Sequence, residues 1–332
     1  MLPALWLDGH LDLAYISQVS GDLANTTGSS GPRSVSLGRL ARGRVGIVAA
    51  TVFIDPTPEA RGTPYGYAGS DDWEGANRAA REQVAFYEKL EAAGIARIVR
   101  TVDDLNETSR LRLVILMEGA DPIRDARDVE RWHALGVRMV GLSWALGSRF
   151  TGGNARPGPL TSAGREVIAA LDAHGIIHDA SHLSDEALEG LFAATDRVVV
   201  ASHSNARALM GPKERHIRDD SAREIARRGG VVGLNLFGKF LAEGRDATLD
   251  DALNHVEHIA HAAGTRQVSA LGSDLDGGFG PDAVPVGVRH PDEYETLARG
   301  LAQRGWSDSE VAGFASDNWL RVLTRCLPSA HR

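Results

Sequence analysis

Short runs of Val, Ile, Leu and Ala recur along this chain, separated by longer stretches in which apolar residues return every third or fourth position. Eight such runs stand out, at 5–10, 45–53, 111–118, 138–144, 175–181, 198–203, 231–237 and 268–274. Several are apolar throughout, the pattern of parallel strands covered on both faces. The stretches between them predict helices with definable ends. One over 71–93 carries Ala, Val, Tyr and Leu at helical spacing and stops at Gly94. Others over 162–173, 219–228 and 249–263 stop at Gly175, at Gly229-Gly230 and at Gly264, where glycine supplies the left-handed turn that ends a helix. Eight strand–helix units in 332 residues predict an α/β protein folded as one (β/α)8 TIM barrel over 1–332, with a doubly wound open sheet as the alternative. No internal repeat or dividing linker interrupts the pattern. Segments 17–43, 54–72 and 146–161, rich in Gly, Ser, Thr or Pro, predict long loops near the barrel mouth.

The polar residues fall at the strand ends. The first run closes on His10 and Asp12, the third on Glu118 in "ILMEGAD", the fifth on His182 in "HDASHLS", the sixth on His203 in "ASHSNAR" and the eighth on Asp274 in "LGSDLDGG". In a barrel these ends meet on one face, where active sites are built. Residues i and i+2 of a strand share a side, so His10 and Asp12 can grip one ion. Neutral imidazole with carboxylate oxygen suits Zn²⁺ or a similar divalent ion. So many donors exceed one tetrahedral site and suit two metals, with Glu118 as the natural bridge because a carboxylate has two oxygens. Singly, each residue has a structural explanation, such as a satisfied histidine, a helix cap, or an Asx-turn between Asp274 and Gly277. Their conjunction at five of eight strand ends points to a site.

Other chemistry finds less support. His255, His258 and His261 recur at i, i+3, i+6 and read as a solvated helix face, and His178 reads as a core residue. No GxGxxG, P-loop or GxSxG motif is present, and the single cysteine, Cys326, lies in a C-terminal helix-like segment. Serine and cysteine nucleophiles and zinc-thiolate clusters are therefore disfavoured. A net charge of −8 and a pI near 5.8 argue against a nucleic-acid footprint or a polybasic membrane anchor. No apolar stretch reaches the length of a membrane span. The basic residues are 33 Arg and only three Lys, Lys89, Lys213 and Lys239.

Taken together, "DGHLD", "EGAD", "DASHLSDEAL", "ASHSNARAL", "GSDLDG" and the tail "GWSDSEVAGFASDNWLRVL" resemble the motifs of the membrane (renal) dipeptidases, zinc peptidases of the amidohydrolase superfamily. The resemblance covers nearly the whole chain. It implies a (β/α)8 barrel, two Zn²⁺ per chain, and hydrolysis of dipeptides with tolerance for a C-terminal D-residue. By position, His10 and Asp12 would hold one zinc, His182 and His203 the other, and Glu118 would bridge them. Asp274 would be the acid/base, Arg215 in "KERHIRDD" would bind the substrate carboxylate, and Asn235 would join the substrate-binding residues. One departure concerns the fourth run. Many members close it with a histidine thought to touch the substrate carbonyl oxygen, whereas this chain has Trp144 in "VGLSWALG". Tryptophan can stack and donate one hydrogen bond but cannot act as an imidazole.

Strand one is expected to start near residue 5, and on that reading neither a leader before it nor an apolar tail for a lipid anchor is expected. The expectation is a cytoplasmic enzyme with small dipeptides as substrates, no nucleic-acid or membrane partner, and a homodimer as candidate assembly. Two alternatives remain at this point. One is another metal-dependent amidohydrolase, such as an N-acyl-amino-acid deacylase, lactonase or phosphotriesterase-like enzyme. Several of those bridge their metals with a carboxylated lysine, and no lysine here ends a strand before the last two units. The other is a peptide-binding barrel without turnover, which would require a broken ligand set.

Overall fold

A computed structural model describes residues 2–20, 23 and 33–329. Its strands are β1 (Trp6–Leu11), β2 (Val45–Phe53), β3 (Ala96–Ile98), β4 (Leu111–Glu118), β5 (Val137–Gly141), β6 (Ile177–Asp179), β7 (Val199–Val200), β8 (Val232–Leu234) and β9 (Ser269–Leu271). Every strand pairing is parallel. One sheet runs β1-β2-β4-β5-β6-β7 and a second joins β8 to β9. Two joints turn these sheets into a barrel. Ala201 bridges Val232, its N–H donating to Val231 O at 2.9 Å. On the far side, Asp274 N–H donates to His10 O at 3.1 Å. The result is the predicted (β/α)8 barrel, and each of the eight predicted runs holds one barrel strand. The additional β3 is three residues long and lies along the start of β4.

The helices are α1 (Leu13–Ser20), α2 (Leu37–Arg42), α3 (Trp73–Ala92), α4 (Val129–Ala134), α5 (Ser162–Ala173), α6 (Asp185–Ala194), α7 (Asp219–Arg227), α8 (Leu249–Ala263), α9 (Glu295–Gln303), α10 (Asp308–Ala312) and α11 (Asn318–Cys326). The four predicted helices are α3, α5, α7 and α8, with ends within two residues of expectation. The predicted loop over 17–43 needs correction. Residues 17–20 finish α1, which buries Leu13, Ala14 and Ile16. Residues 37–42 form α2, begun by Ser36, whose side chain accepts from Arg39 N. Positions 21, 22 and 24–32 lie outside the described residues. The histidines of α8 also divide differently. His255 is buried, accepting from Ala206 N at 3.1 Å through Nδ1 and donating to Leu241 O at 3.2 Å through Nε2. His258 pairs with Asp219 at 2.9 Å and His261 is exposed. His178 is core, as expected, with Nε2 against Asp172 Oδ1 at 2.7 Å. Among the described residues, no helix is long and apolar enough to cross a membrane.

Strand parity separates two packed layers. Val48, Ala50, Val52, Leu113, Ile115 and Met117 face outward into the cluster shared with the helices. Leu7, Ile47, Ala49, Val114, Leu116, Met139, Ile177, Val200 and Ala270 fill the barrel, and α11 packs Trp319, Val322 and Leu323 onto them. Gly9 makes room for that plug, because a Cβ there would lie 2.4 Å from the Trp319 ring. The inward columns turn polar at the strand C-termini: Ile47 and Ala49 lead to Thr51, Val114 and Leu116 to Glu118, and Ile177 to Asp179. In β1 the register shifts between Asp8 and Leu11. Leu7 faces the barrel and Leu11 the helices, so the shift turns His10 and Asp12 inward.

Candidate metal centre and active site

Glu118, at the end of β4, lies at the middle of the mouth between two sets of donors. Its Oε2 is 3.3 Å from His10 Nε2, which is 3.7 Å from Asp12 Oδ1. Its Oε1 is 3.0 Å from His182 Nε2 and 3.5 Å from His203 Nε2. The ligand atoms of His10, Asp12 and Glu118 lie within 4.8 Å of one another, as do those of Glu118, His182 and His203, and those of His10, His203 and Asp274. All six side chains are buried or nearly so, and all six positions expected from the strand ends converge.

The surrounding hydrogen bonds fix how these groups point. Ser202 Oγ lies 2.5 Å from Asp179 Oδ2, 2.8 Å from His203 Nδ1 and 3.0 Å from His10 Nδ1. A hydroxyl has one proton and two lone pairs, and an ionised carboxylate can only accept. The Ser202 proton therefore goes to Asp179, and both imidazoles donate from Nδ1. In the neutral rings this leaves the Nε2 lone pairs facing the Glu118 oxygens. Asp179 Oδ1 accepts from Ser181 N at 3.0 Å and Ser202 N at 2.8 Å, so the orienting carboxylate is itself held. His182 Nδ1 meets Asn154 Oδ1 at 3.1 Å, which places its Nε2 lone pair inward as well. Thr51 Oγ1 donates to Asp12 Oδ1. Sequence reasoning missed Ser202, Asp179, Thr51 and Asn154. Three of them carried a usable signal, a polar residue on an inward column at a strand end. Asn154, in a loop, carried none.

This arrangement fits cations. His10 Nε2 is buried without a hydrogen bond, and His182 Nε2 and His203 Nε2 are only 2.9 Å apart. Lone pairs aimed at each other and at carboxylate oxygens repel unless a positive charge lies between them. The electrostatics agree. Burial would lower the His10 imidazole, but Glu118, Asp12 and Asp274 outweigh it and hold it up at about 10. Burial pushes His182 down to about 4 and His203 well below its usual range. Burial also raises Asp12 to about 6, whereas for Glu118 the His10 and His182 imidazoles overcome burial and hold the carboxyl down. A metal-free cluster thus retains a proton at His10 that a divalent ion would displace. His182 and Asp274 have φ of 67° and 59°, a left-handed backbone uncommon outside glycine and often found at functional sites.

Asp274 borders the centre behind His10. Its Oδ2 accepts from Asn235 Nδ2 at 2.8 Å, and burial raises the carboxyl to about 8. Gly277 leaves space for Oδ1, since a Cβ there would come within 2.0 Å of it. Asn235, expected among the substrate contacts, has two protein partners of its own. Its Oδ1 accepts from Phe237 N at 2.7 Å while its amide holds Asp274, so its place is to orient that carboxylate. Asp276 accepts from Ser34 N at 2.9 Å and Val35 N at 2.8 Å and ties down a loop. Arg215 is 7% exposed and lies over the Phe240 ring at 4.9 Å. It donates to His203 O at 2.9 Å and Ser204 Oγ at 3.3 Å. Of the five N–H groups of a guanidinium, the remaining ones include a buried Nε–H without a partner. The Trp144 ring stands 5.9 Å from His182 and 5.3 Å from Phe53. All three lysines are exposed, so none can supply a carboxylated bridge.

Comparison with known proteins agrees with this geometry. A family model for membrane dipeptidases, peptidase family M19, matches residues 3–330. A Klebsiella pneumoniae protein encoded in the pqqA 5′ region is 33% identical over 261 residues, covering 73% of this chain and 94% of that one. The Aspergillus oryzae dipeptidase aclJ is 31% identical over 221 residues, covering 64% of this chain and 51% of its own length, so the match spans about half of that protein. A Rhodobacter sphaeroides metallopeptidase, solved with a phosphinate mimic of L-Ala-D-Ala, superposes with a TM-score of 0.85 at 23% identity, covering 98% of this chain and 99% of the other. That likeness establishes the shared fold. With the family match spanning nearly every residue, the chain belongs to the membrane dipeptidase family, peptidase family M19, and is a metallo-dipeptidase.

Proposed function

We propose that this enzyme holds two zinc ions across Glu118 and hydrolyses dipeptides, including those with a C-terminal D-residue. The observation that carries the reading is Glu118 itself, with one oxygen facing His10 and Asp12 and the other facing His182 and His203. His10, Asp12 and Glu118 would hold one ion, and His182, His203 and Glu118 the other. When bound, such ions supply Lewis acidity to the attacking water and to the scissile carbonyl. Asp274 takes the water's proton and passes it to the leaving nitrogen. Asn235 Nδ2 holds that carboxylate in place. The uncommitted N–H groups of Arg215 take the substrate's free carboxylate through a planar two-pronged contact. The D-residue part of the proposal draws on the ligand of the Rhodobacter sphaeroides structure, a mimic of L-Ala-D-Ala.

The test is metal analysis of stripped and zinc-reconstituted protein, together with hydrolysis of L-Ala-L-Ala, L-Ala-D-Ala and their C-terminal amides. Two ions per chain and cleavage of the free dipeptides alone are expected. At most one ion refutes the bridge, and equal cleavage of the amides refutes the Arg215 assignment.

A further inference from the structure

The rings bordering the centre form an unbroken row. Tyr65 and Tyr15 meet edge to face at 4.9 Å, Tyr15 and Phe53 at 5.2 Å, and Phe53 and Trp144 at 5.3 Å, with the His182 ring a further 5.9 Å on. These residues come from separate places on the mouth side. Tyr15 is in α1, Phe53 ends β2, Tyr65 lies in the loop after β2, and Trp144 follows β5. Phe53 is buried, while Tyr15, Tyr65 and Trp144 are half-buried. The row is thus only partly covered and ends against a metal-facing imidazole.

Barrel order fixes which part of a substrate meets it. Arg215 lies in the segment after β7. Around the ring β1-β2-β4-β5-β6-β7-β8-β9, β2 is the strand opposite β7, four steps away in either direction. A dipeptide whose carboxylate rests on Arg215 and whose peptide bond lies over Glu118 therefore extends its N-terminal residue toward Phe53. We propose that the row Tyr65–Tyr15–Phe53–Trp144 is the subsite for that residue's side chain, and that it selects large apolar side chains, aromatic or branched aliphatic, over small or charged ones. This rests on the dipeptidase reading above and names its substrate class. The physical basis is that edge-to-face rings offer flat, weakly hydrated surface to an incoming apolar group. A carboxylate laid against those ring faces would lose much of its water.

The test uses zinc-loaded enzyme and the series Gly-, Ala-, Leu-, Phe- and Asp-D-Ala, so that only the N-terminal side chain varies. A single methylene in an apolar pocket is worth about 10-fold or more in discrimination. Leu- and Phe-D-Ala should therefore exceed Gly-D-Ala in kcat/KM by about 10²-fold, with Asp-D-Ala below Ala-D-Ala. Trp144→Ala and Tyr65→Ala should each reduce the Leu-to-Gly ratio by about fivefold or more, on the same basis. The ratio cancels any general loss of activity. A flat profile across the series, or a ratio unchanged in both variants, overturns the subsite while leaving the dipeptidase reading intact. Cleavage of none of the five overturns both.

Discussion

The two ends of this barrel are made from the same strands and serve opposite purposes. Toward the strand N-termini the inward residues are apolar except for the buried Arg112, whose guanidinium is held by Gly46 O and Leu105 O, and they are closed by Trp319, Val322 and Leu323 of α11, with Trp319 Nε1 donating to Leu271 O at 2.9 Å. Two residues further along each column the barrel holds buried carboxylates, facing imidazoles and left-handed backbone at His182 and Asp274. One end lowers the free energy of the fold; the other stores unfavourable electrostatics that a bound cation relieves. The difference teaches that stability and reactivity can be separated along a strand by a few ångströms.

The strongest test of that division lies at the plug. Trp319→Ala should cost about 3–5 kcal/mol of stability in urea unfolding of metal-free protein, as truncation of a buried tryptophan does. Folded enzyme should still bind metal with unchanged stoichiometry. Loss of metal without loss of stability would break the comparison. At the other end, Asp274→Asn should lower kcat by about 10²-fold or more while leaving the unfolding midpoint and metal content near wild type. Wild-type turnover in the Asp274→Asn variant would remove Asp274 from proton transfer.

Ser202→Ala sharpens the account of the mouth. Removing the hydroxyl frees the Nδ1 tautomer of both His10 and His203, so affinity at both ions should fall together by about 10–100-fold. Ser202→Thr, which keeps the hydroxyl, should recover most of it. Weakening of one ion alone would show that the shared hydroxyl does not orient both rings.

The smallest effect is one of pH. In metal-free protein, burial raises Asp274 to about 8, and the carboxylates around His10, prevailing over its burial, hold that imidazole at about 10. Both groups bind more protons folded than unfolded across neutral to mildly alkaline pH. Stability should therefore fall as pH rises through about 7 to about 9. Zinc, which replaces the protons, should abolish that slope. Thermal melts with chelator and with zinc make the comparison, and a chelated protein with a flat or rising profile would contradict the stored-charge picture.

The barrel was legible because strand runs and their polar ends are one-dimensional signals. His10, Asp12, Glu118, His182, His203 and Asp274 each close an apolar run, and even β7, two residues long, falls inside one. What escaped depends on three-dimensional neighbours. Asn235 was grouped with the substrate contacts, but only the fold shows that its amide also holds Asp274. His255 was read by its spacing to two other histidines, although it also lies beside Ala252, Val256 and Ile259 on the buried stripe of α8, which was the better signal. α2 lay hidden in a glycine- and serine-rich stretch because six residues make too short a pattern. Ser202 stood in plain view beside His203, yet its double acceptance requires closure of the barrel to bring β1 and β7 together.

The joint between β9 and β1 has a consequence for biosynthesis. Asp8 takes Ser273 N at 2.8 Å, Ser273 Oγ at 2.5 Å and Tyr294 OH at 2.6 Å, joining residues 265 and 286 positions apart. On a ribosome, β1 emerges well before the partners of its free edge, which are made 265 and 286 residues later. Chains fold from the N-terminus as they are made, so until those partners emerge this strand is an open edge able to pair with a neighbouring nascent chain. The buried aspartate that completes the seam thus also marks the interval during which that edge is left uncovered.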